Sequence, residues 1–376
     1  MNITFEKERL IEQLAIVGRT VPNRTTLPIL ECVLLLAEEG GIRLTANDLE
    51  MCVETSRVPA EIDEEGSVAL NAKLFADIIR KMPGDRIQIK TNQQNQTECR
   101  SGRACINISG FPSDEFPVIP QTETTEGFTL KARVLKDMIR QTIFSVAADE
   151  TKPVLTGEFV QYKDGRLTMV AVDGFRISYR QEPLESEAKQ AGAIIPAKAL
   201  NELSRILPSE ADEEVTFHLH EKRVVFVSNT FTFISRLIEG DYIRYDQIFS
   251  EDFSTIMTVE RIPFLTGVER ACLIARENNK SPVKLEIGEE AVVITSVTEL
   301  GRTYDEIVCE IDGSALSISF NPRYLIDALR AIEDERVVMR FTAPLSPCII
   351  QGRASKPDGA LNEAYKYLIL PLRVLN

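Results

Sequence analysis

A short basic segment occurs three times in this chain at a constant interval. It reads NAKLFADIIRKMP from residue 71, PAKALNELSRILP from residue 196 and NPRYLIDALRAIE from residue 321, so both intervals are 125 residues. Internal repetition of this kind indicates consecutive units of similar structure. A chain of 376 residues is also too long for one compact core. We therefore expect three similar domains.

Three columns of charge run through the aligned segments. They comprise Lys73, Lys198 and Arg323, then Asp77, Glu202 and Asp327, then Arg80, Arg205 and Arg330. Residues four and seven positions apart lie on one face of a helix. Each segment therefore predicts an amphipathic helix with a basic, acidic, basic stripe. The opposite face is apolar, as Phe75, Ile78 and Ile79 illustrate in the first copy.

Other parts of the chain follow the same interval. Asp48 in LTANDLEM and Asp173 in VAVDGFRIS are also 125 residues apart. Polar connectors at 119–127 and 244–253 separate the units. We expect the domains to span 1–122, 127–248 and 253–376.

Each unit has the same order of patterns: a strand, a helix, several strands, a second helix and several strands. Runs such as GIRLTAND, RIQIK, RVVFVS, AVVITS and LSISF have the alternating or β-branched composition of strands. Two helices on a mostly antiparallel sheet form an α+β layer. Two arrangements are compatible with this pattern: three independent domains, or a curved array that presents all six helices on one side.

The predicted helices are basic although the chain is acidic. They span 5–20, 71–82, 131–146, 196–207, 259–277 and 321–332. Together they carry 17 Lys and Arg against 10 Asp and Glu, and because the formal net charge is −14, the rest of the chain carries −21. Cations concentrated on one repeated element of an acidic protein are suited to holding a polyanion along that element. The distribution favours the curved array, although any single charged helix is also typical of a solvated surface.

Several classes of protein are disfavoured by what the sequence lacks. The seven cysteines form no CxxC pair, which favours free thiols in a reducing compartment. No apolar stretch is long enough to cross a membrane and MNITFEKERL lacks a signal-peptide core, so we expect a cytoplasmic protein. No glycine-rich phosphate loop or nucleophile elbow is present, and His218 and His220 lack further ligands at metal-binding spacing. We expect no catalytic activity, no cofactor and no metal.

A set of short motifs, taken in chain order, is similar to one known family. The motifs are NRTTLPIL (23–30), LTANDLEM (44–51), SGR (101–103), DEFP (114–117), VAVDGFRIS (170–178), IIPAKAL (194–200), SRLIEG (235–240) and YLILPLR (367–373). None is diagnostic alone, but together they cover essentially the whole chain inside a threefold repeat. The chain resembles the bacterial DNA polymerase III β subunit, the sliding clamp.

The resemblance implies a head-to-tail homodimer whose six domains close into a ring around double-stranded DNA. Helices line the hole, and their cations face phosphates without reading bases, as sequence-independent sliding requires. The DNA-binding residues implied in this way are Arg24, Lys73, Arg80, Lys136, Arg140, Lys198, Arg205, Arg323 and Arg330. The second unit departs from the family in the loop that corresponds to the Arg24 loop, because it carries Asp149 and Glu150.

The resemblance also implies a cleft, between the middle and C-terminal domains, that binds a short peptide of the polymerase α subunit, the clamp loader δ subunit or other clamp-binding proteins. Its implied wall is formed by Leu155, Gly174, Phe175, Arg176, Ile177, Ile243, Ile248, Leu345, Pro347, Leu368, Leu370, Pro371, Leu372 and Arg373. An apolar wall with a basic rim suits an extended or turn-forming peptide. Phe175 and Ile243 depart from the family, where a polar ring and a proline are expected. Without the resemblance, YLILPLR favours a C-terminal edge strand with one face in the core.

The dimer interface implied by the resemblance contains Ile106, Ile108, Leu273 and Ile274, which could otherwise belong to the core of single domains. The implied function is processivity: the clamp tethers the replicative polymerase to DNA, and the polymerase and 3'–5' exonuclease activities belong to its partners. Segment 355–366 and the tail Val374–Leu375–Asn376 have no assigned role. Two alternatives remain open: a protein scaffold that does not encircle DNA, and an enzyme acting on a small anionic substrate in an interdomain cleft.

Overall fold

The computed structural model describes residues 1–22, 24–117, 127–149, 151–186, 188–208, 210, 212–249, 252–275, 281–354 and 360–373. Glu150, the tail Val374–Leu375–Asn376, most of the connector 119–127, and parts of the segments 244–253 and 355–366 lie outside the described residues. The chain divides into two compact units. Unit 1 contains Met1–Lys136, Ser186–Ala188 and Lys198–Leu237, and unit 2 contains Asp137–Glu185, Lys189–Ala197 and Ile238–Asn376. The middle of the chain contributes to both units, and the boundaries of the three expected domains remain a prediction.

The described residues form six α-helices, and each lies inside one of the six predicted segments. The helices are α1 (Lys7–Val17), α2 (Ala72–Lys81), α3 (Ala132–Thr142), α4 (Ala197–Ile206), α5 (Arg261–Ala275) and α6 (Pro322–Ala331). The strands are β1 (Asn2–Glu6), β2 (Cys32–Glu38), β3 (Gly41–Asn47), β4 (Met51–Thr55), β5 (Glu61–Glu64), β6 (Gly66–Asn71), β7 (Arg86–Thr91), β8 (Gln96–Ser101), β9 (Ala104–Ser109), β10 (Phe128–Lys131), β11 (Gly157–Lys163), β12 (Arg166–Val172), β13 (Arg176–Pro183), β14 (Ala191–Pro196), β15 (Glu214–Leu219), β16 (Arg223–Val227), β17 (Phe231–Arg236), β18 (Thr255–Glu260), β19 (Val283–Ile287), β20 (Ala291–Thr298), β21 (Gly301–Val308), β22 (Glu310–Gly313), β23 (Leu316–Phe320), β24 (Arg336–Phe341), β25 (Cys348–Arg353) and β26 (Tyr365–Ile369).

Each unit contains two sheets, and their strand pairs are antiparallel. In unit 1 the orders are β5-β1-β7-β8-β9 and β10-β15-β16-β17-β4-β3-β2-β6. In unit 2 they are β14-β11-β12-β13-β26-β25-β24-β18-β22 and β21-β20-β19-β23. Because helices pack against antiparallel sheets in both units, the predicted α+β class is confirmed.

The repeated helices begin and pack as their sequence pattern predicts. The Asn71 side chain accepts a hydrogen bond from the Leu74 amide at 3.0 Å and caps α2. Asn321 caps α6 in the same way, through the Arg323 amide at 3.1 Å. An asparagine at this position satisfies an amide that has no partner within the helix. Most apolar residues of α2 and α6 are buried, Leu74 being an exposed exception, so each helix turns its charged stripe outward.

Strand β26 lies in the interior of its sheet. Ile177 of β13 pairs with Leu368 on one side, and Ile349 of β25 pairs with Leu368 on the other. The interpretation of YLILPLR as an edge strand is therefore wrong. Its alternation reports which residues are buried but does not report how many neighbouring strands are present. Tyr367, on the other face of β26, is completely buried.

The seven cysteines all lie in the described part of the chain and are free thiols, as predicted, and all but Cys105 are buried. Among the described helices, none combines the length and apolar composition that a membrane span requires. No cluster of three metal-ligating side chains is found among the described residues.

Candidate functional site

In unit 1 the repeated cations lie on exposed helix surfaces, and the arginines of α2 and α4 contact carboxylates of their own helices. The Arg80 guanidinium contacts the Asp77 carboxylate at 3.1 Å on α2. On α4, Arg205 contacts Glu202 at 2.9 Å, one helical turn away in the same relative positions. The two helices therefore share the residue types at these positions and also the ion pair between them.

Lys198 of α4 makes a different contact. Its ammonium group contacts Asp48 at 2.7 Å. The Asp48 carboxylate also accepts hydrogen bonds from the amides of Glu50 and Met51, so it closes the turn between β3 and β4. Lys198 itself remains largely exposed, which leaves its ammonium group accessible to a second anion.

In unit 2 the third copy of the stripe departs from the first two. Arg330 of α6 contacts Glu269 of α5 at 2.7 Å, and not the acidic residue of its own helix. That residue, Asp327, instead accepts a hydrogen bond from Arg176 at 2.7 Å. Arg140 at the end of α3 contacts Glu333 at 2.5 Å.

Most of these contacts are weak ion pairs. Exposed pairs of this kind stabilise a protein by roughly 0–1 kcal/mol, and salt screens them. A phosphate can therefore replace the carboxylate at little cost. Lys73, Arg323 and Arg24 are exposed, and no carboxylate in the described residues lies within ion-pair distance of their side chains. Lys136 is half-buried.

The residues of the predicted peptide cleft all belong to unit 2, and many of them lie together. Leu155, Ile177 and Leu368 are buried in one apolar cluster, and Ile243 packs against it. Phe175, two residues before Ile177 of this floor, is about 59% exposed, and Leu345, in the loop between β24 and β25, is about 62% exposed. Large apolar side chains exposed beside a buried apolar floor are typical of a binding surface.

A tight turn shapes one edge of this surface. Gly174 lies between β12 and β13 with a φ of +91°, a conformation that other residues rarely adopt. The Asp173 carboxylate accepts hydrogen bonds from the amides of Phe175 and Arg176 at 2.9 and 3.0 Å. The residues DGFR (173–176) therefore form a tight turn, and it projects Phe175 into solvent. The Leu370 amide donates to the Phe175 carbonyl at 2.9 Å, which fixes the end of β26 beside this turn.

Arg176 faces inward and holds several elements of unit 2 together. Its guanidinium contacts Asp173 at 2.8 Å and Asp327 of α6 at 2.7 Å, and it donates to the Phe144 carbonyl. It also lies 4.3 Å from the centroid of the Tyr324 ring. Contacts with these carboxylates and with Tyr367 raise the pKa of Arg176 although burial opposes the charge. Because Arg176 is buried, Arg373 is the arginine of the predicted cleft whose side chain is exposed.

The four residues predicted at the dimer interface have different environments. Ile106 is partly exposed on β9, an edge strand, but Ile108 of the same strand is buried. Leu273 on α5 is about 62% exposed, and Ile274 is half-buried. Sequence reasoning did not single out the edge strand β21, where Tyr304 and Val308 are exposed beside Arg302 and Glu306. Apolar and charged residues share this exposed face, so the sequence GRTYDEIV carries no apolar alternation that could have identified it.

Three family models match nearly the whole chain. They describe the N-terminal, central and C-terminal domains of the DNA polymerase III beta subunit, and they match residues 1–120, 129–243 and 246–373. The chain belongs to this family. As a member of this family it is a beta sliding clamp, the non-catalytic processivity factor of DNA polymerase III.

Full-length relatives agree with the family assignment. The chain is 35% identical to a beta sliding clamp of Staphylococcus epidermidis and 34% identical to one of Staphylococcus aureus, over 99% of each chain. A DNA polymerase sliding clamp from Bacillus subtilis has a TM-score of 0.94 at 33% identity, and all of both chains is covered. A putative DNA polymerase III beta subunit from Eubacterium rectale has a TM-score of 0.92 at 35% identity, over 99% of each chain. The fold is therefore that of three clamp domains, each with antiparallel sheet and two helices.

Proposed function

We propose that two copies of this chain close head to tail into a ring, and that the exposed cations of its helices contact the phosphates of the enclosed duplex. The observation that carries the proposal is the recurrence of exposed Lys73, Lys198 and Arg323 at one position of the three helices α2, α4 and α6. Equivalent contacts at regular intervals let one phosphate replace another as the ring moves. Contacts of this type are independent of base sequence.

The edges of two sheets support ring closure. β9 is an edge strand with Ile106 partly exposed, and β21 is an edge strand on which Val308 is about 82% exposed. Exposed edge strands carry free backbone donors and acceptors and readily pair with another chain. We propose that β9 of one protomer meets β21 of the other, with Leu273 in the same interface. Light scattering of the purified protein at micromolar concentration tests this: a dimer mass is expected, and a monomer contradicts it.

The partner site that we propose is the cleft around Phe175, Leu345 and the buried floor of Leu155, Ile177 and Leu368. Peptides of the replicative polymerase α subunit and of the clamp loader δ subunit are its expected ligands, and the cytoplasm is the expected location. Phe175→Ser removes an exposed ring and leaves the floor intact. It should weaken binding of a labelled polymerase peptide about tenfold in fluorescence anisotropy, and an unchanged affinity contradicts the assignment.

Charge reversal tests the proposed DNA contacts. In the test variant, glutamate replaces Lys73, Lys198, Arg205 and Arg323. A matched control variant changes to glutamate four exposed cations on strands, Lys90, Arg100, Lys163 and Lys284. Both variants have the same net charge and should form dimers of the same mass. Processive synthesis with polymerase and loader should fall at least tenfold for the helix variant and remain near the parent level for the control. Equal activity of the two variants would contradict the proposed contacts.

A further inference from the structure

A cavity of ≈860 Å³ lies on the face of the nine-stranded sheet opposite to the face that packs on α5 and α6. Aromatic side chains form one of its walls: Tyr179 of β13 and, from the segment between β17 and β18, Tyr245, Phe249 and Phe253. Tyr179 and Phe249 meet edge to face, with ring centroids 5.9 Å apart. A cavity of this size with an aromatic wall suits a peptide segment.

One transverse row of paired residues connects this cavity to the proposed peptide cleft. The row runs through Asp312, Ile256, Arg340, Ile349, Leu368 and Ile177. Leu368 and Ile177 belong to the floor of the cleft, whereas Ile256, Arg340 and Ile349 line the cavity. Arg340 is two strands away from Leu368, which places their Cα atoms about 10 Å apart. The two sites therefore share one surface of unit 2.

Arg340 lines the cavity and has no ion pair with any described carboxylate. Its guanidinium lies 4.9 Å from the centroid of the Phe253 ring, and its Nε atom has no hydrogen-bond partner. Within the described residues no carboxylate lies within ion-pair distance of it, and burial lowers its pKa. A partly desolvated cation without a counterion favours an incoming anion.

The rim of the cavity restricts which anion can enter. Four exposed carboxylates line the cavity, those of Asp246, Glu310, Asp312 and Glu363, together with the half-buried cations Arg353 and Lys366. Two are held by ion pairs, Glu310 with Arg336 and Glu363 with Lys366. This negative rim repels a polyanion such as nucleic acid, but it leaves room for one carboxylate carried on an apolar peptide.

We propose that the cavity is a second docking site for the partner chains that occupy the cleft, and that Arg340 binds one glutamate or aspartate side chain of the partner, flanked by apolar residues. This inference rests on the proposed peptide cleft. An extended chain advances about 3.3 Å per residue, so the acidic residue should lie about three to six positions from the apolar residue that occupies the cleft floor.

Paired peptides test this proposal on the full-length protein. The probe is the polymerase peptide whose affinity responds to Phe175→Ser, extended at either end by six Gly and Ser residues. One extension residue is replaced by Glu in one member of each pair and by Gln in the other, at each position in turn. Fluorescence anisotropy should give the Glu peptide an advantage of about fivefold at one or two positions.

Arg340→Gln should abolish this advantage and leave the affinity for the Gln peptide unchanged. Lys163→Gln is the matched control, since it removes one positive charge from an exposed position of the same sheet outside the cavity, and it should preserve the advantage. Circular dichroism of both variants checks that they fold, and Arg340→Lys should retain part of the advantage if Gln perturbs folding. The proposal is overturned if no position favours Glu, or if Arg340→Gln retains the preference. Loss of the Phe175 effect would instead indicate that the proposed cleft is wrong.

Discussion

Glu158 is the buried group whose replacement should change stability most strongly with pH. This β11 residue has no exposed surface, and burial raises its pKa from 4.5 to about 8. Its Oε2 lies 2.8 Å from the Thr142 hydroxyl, which lies 2.8 Å from the Met138 carbonyl as well. One hydroxyl proton cannot serve both acceptors, so a proton on Glu158 completes the chain of hydrogen bonds. The structure is therefore that of a neutral carboxylic acid.

Glu158→Gln keeps the shape and the hydrogen bond of the neutral acid but cannot ionise. In the wild type the folded state holds a proton that the unfolded state releases above pH 4.5, so stability falls as pH rises from 4.5 to 8. Each pH unit in this window corresponds to about 1.4 kcal/mol. The variant should therefore equal the wild type at pH 4 and exceed it by about 3 kcal/mol at pH 7.

Hydrogen exchange read by mass spectrometry on β11 and β12 measures this effect locally, which avoids assuming that both units unfold together. The opening free energies of the wild type and of Glu158→Gln should diverge as pH rises to 8 and then run parallel. Glu239→Gln, at an exposed position of unit 2, is the control and should show no such divergence. A difference between wild type and Glu158→Gln that is constant with pH would refute the reasoning.

Two further predictions concern elements that the site depends on. Arg176→Met leaves the carboxylates of Asp173 and Asp327 without their cation. It should therefore lower the free energy of unfolding, measured with urea, by about 3 kcal/mol. A loss below about 1 kcal/mol would contradict the proposed role of Arg176 in holding these elements together. Asn71→Ala and Asn321→Ala each remove a helix cap. Each should lower the free energy of unfolding by about 1 kcal/mol in the same assay. A loss in only one of the two variants would show that the two caps do not stabilise their helices alike.

The repeat made the helices and their charged faces predictable. A period of 3.6 residues, a capping asparagine and two basic positions are local properties, and Asn71, Lys73 and Arg80 all lie within one short segment. The strands were predictable for the same reason. The turn at Asp173 is likewise a local feature, because an aspartate followed by glycine closes a hairpin.

What could not be predicted depends on pairing between distant parts of the chain. Arg176 and Asp327 are 151 residues apart, and nothing in either segment indicates that they meet. The interior position of β26 depends on two strands that flank it, β13 and β25, and its own alternation carries no information about them. Ile108 is buried although it shares the alternation of Ile106, because the burial of an edge strand depends on what packs over it.

If two copies of the protein close into a ring around DNA, ring and DNA are linked topologically, and cutting the DNA should release the ring. The protein is loaded onto nicked circular DNA by its loader, and the DNA is then cut once with a restriction enzyme. A ring held by topology should slide off the new ends within minutes, whereas it should remain on DNA that is left circular. Retention on the linear DNA, or binding that requires no loader and no circle, would contradict the ring.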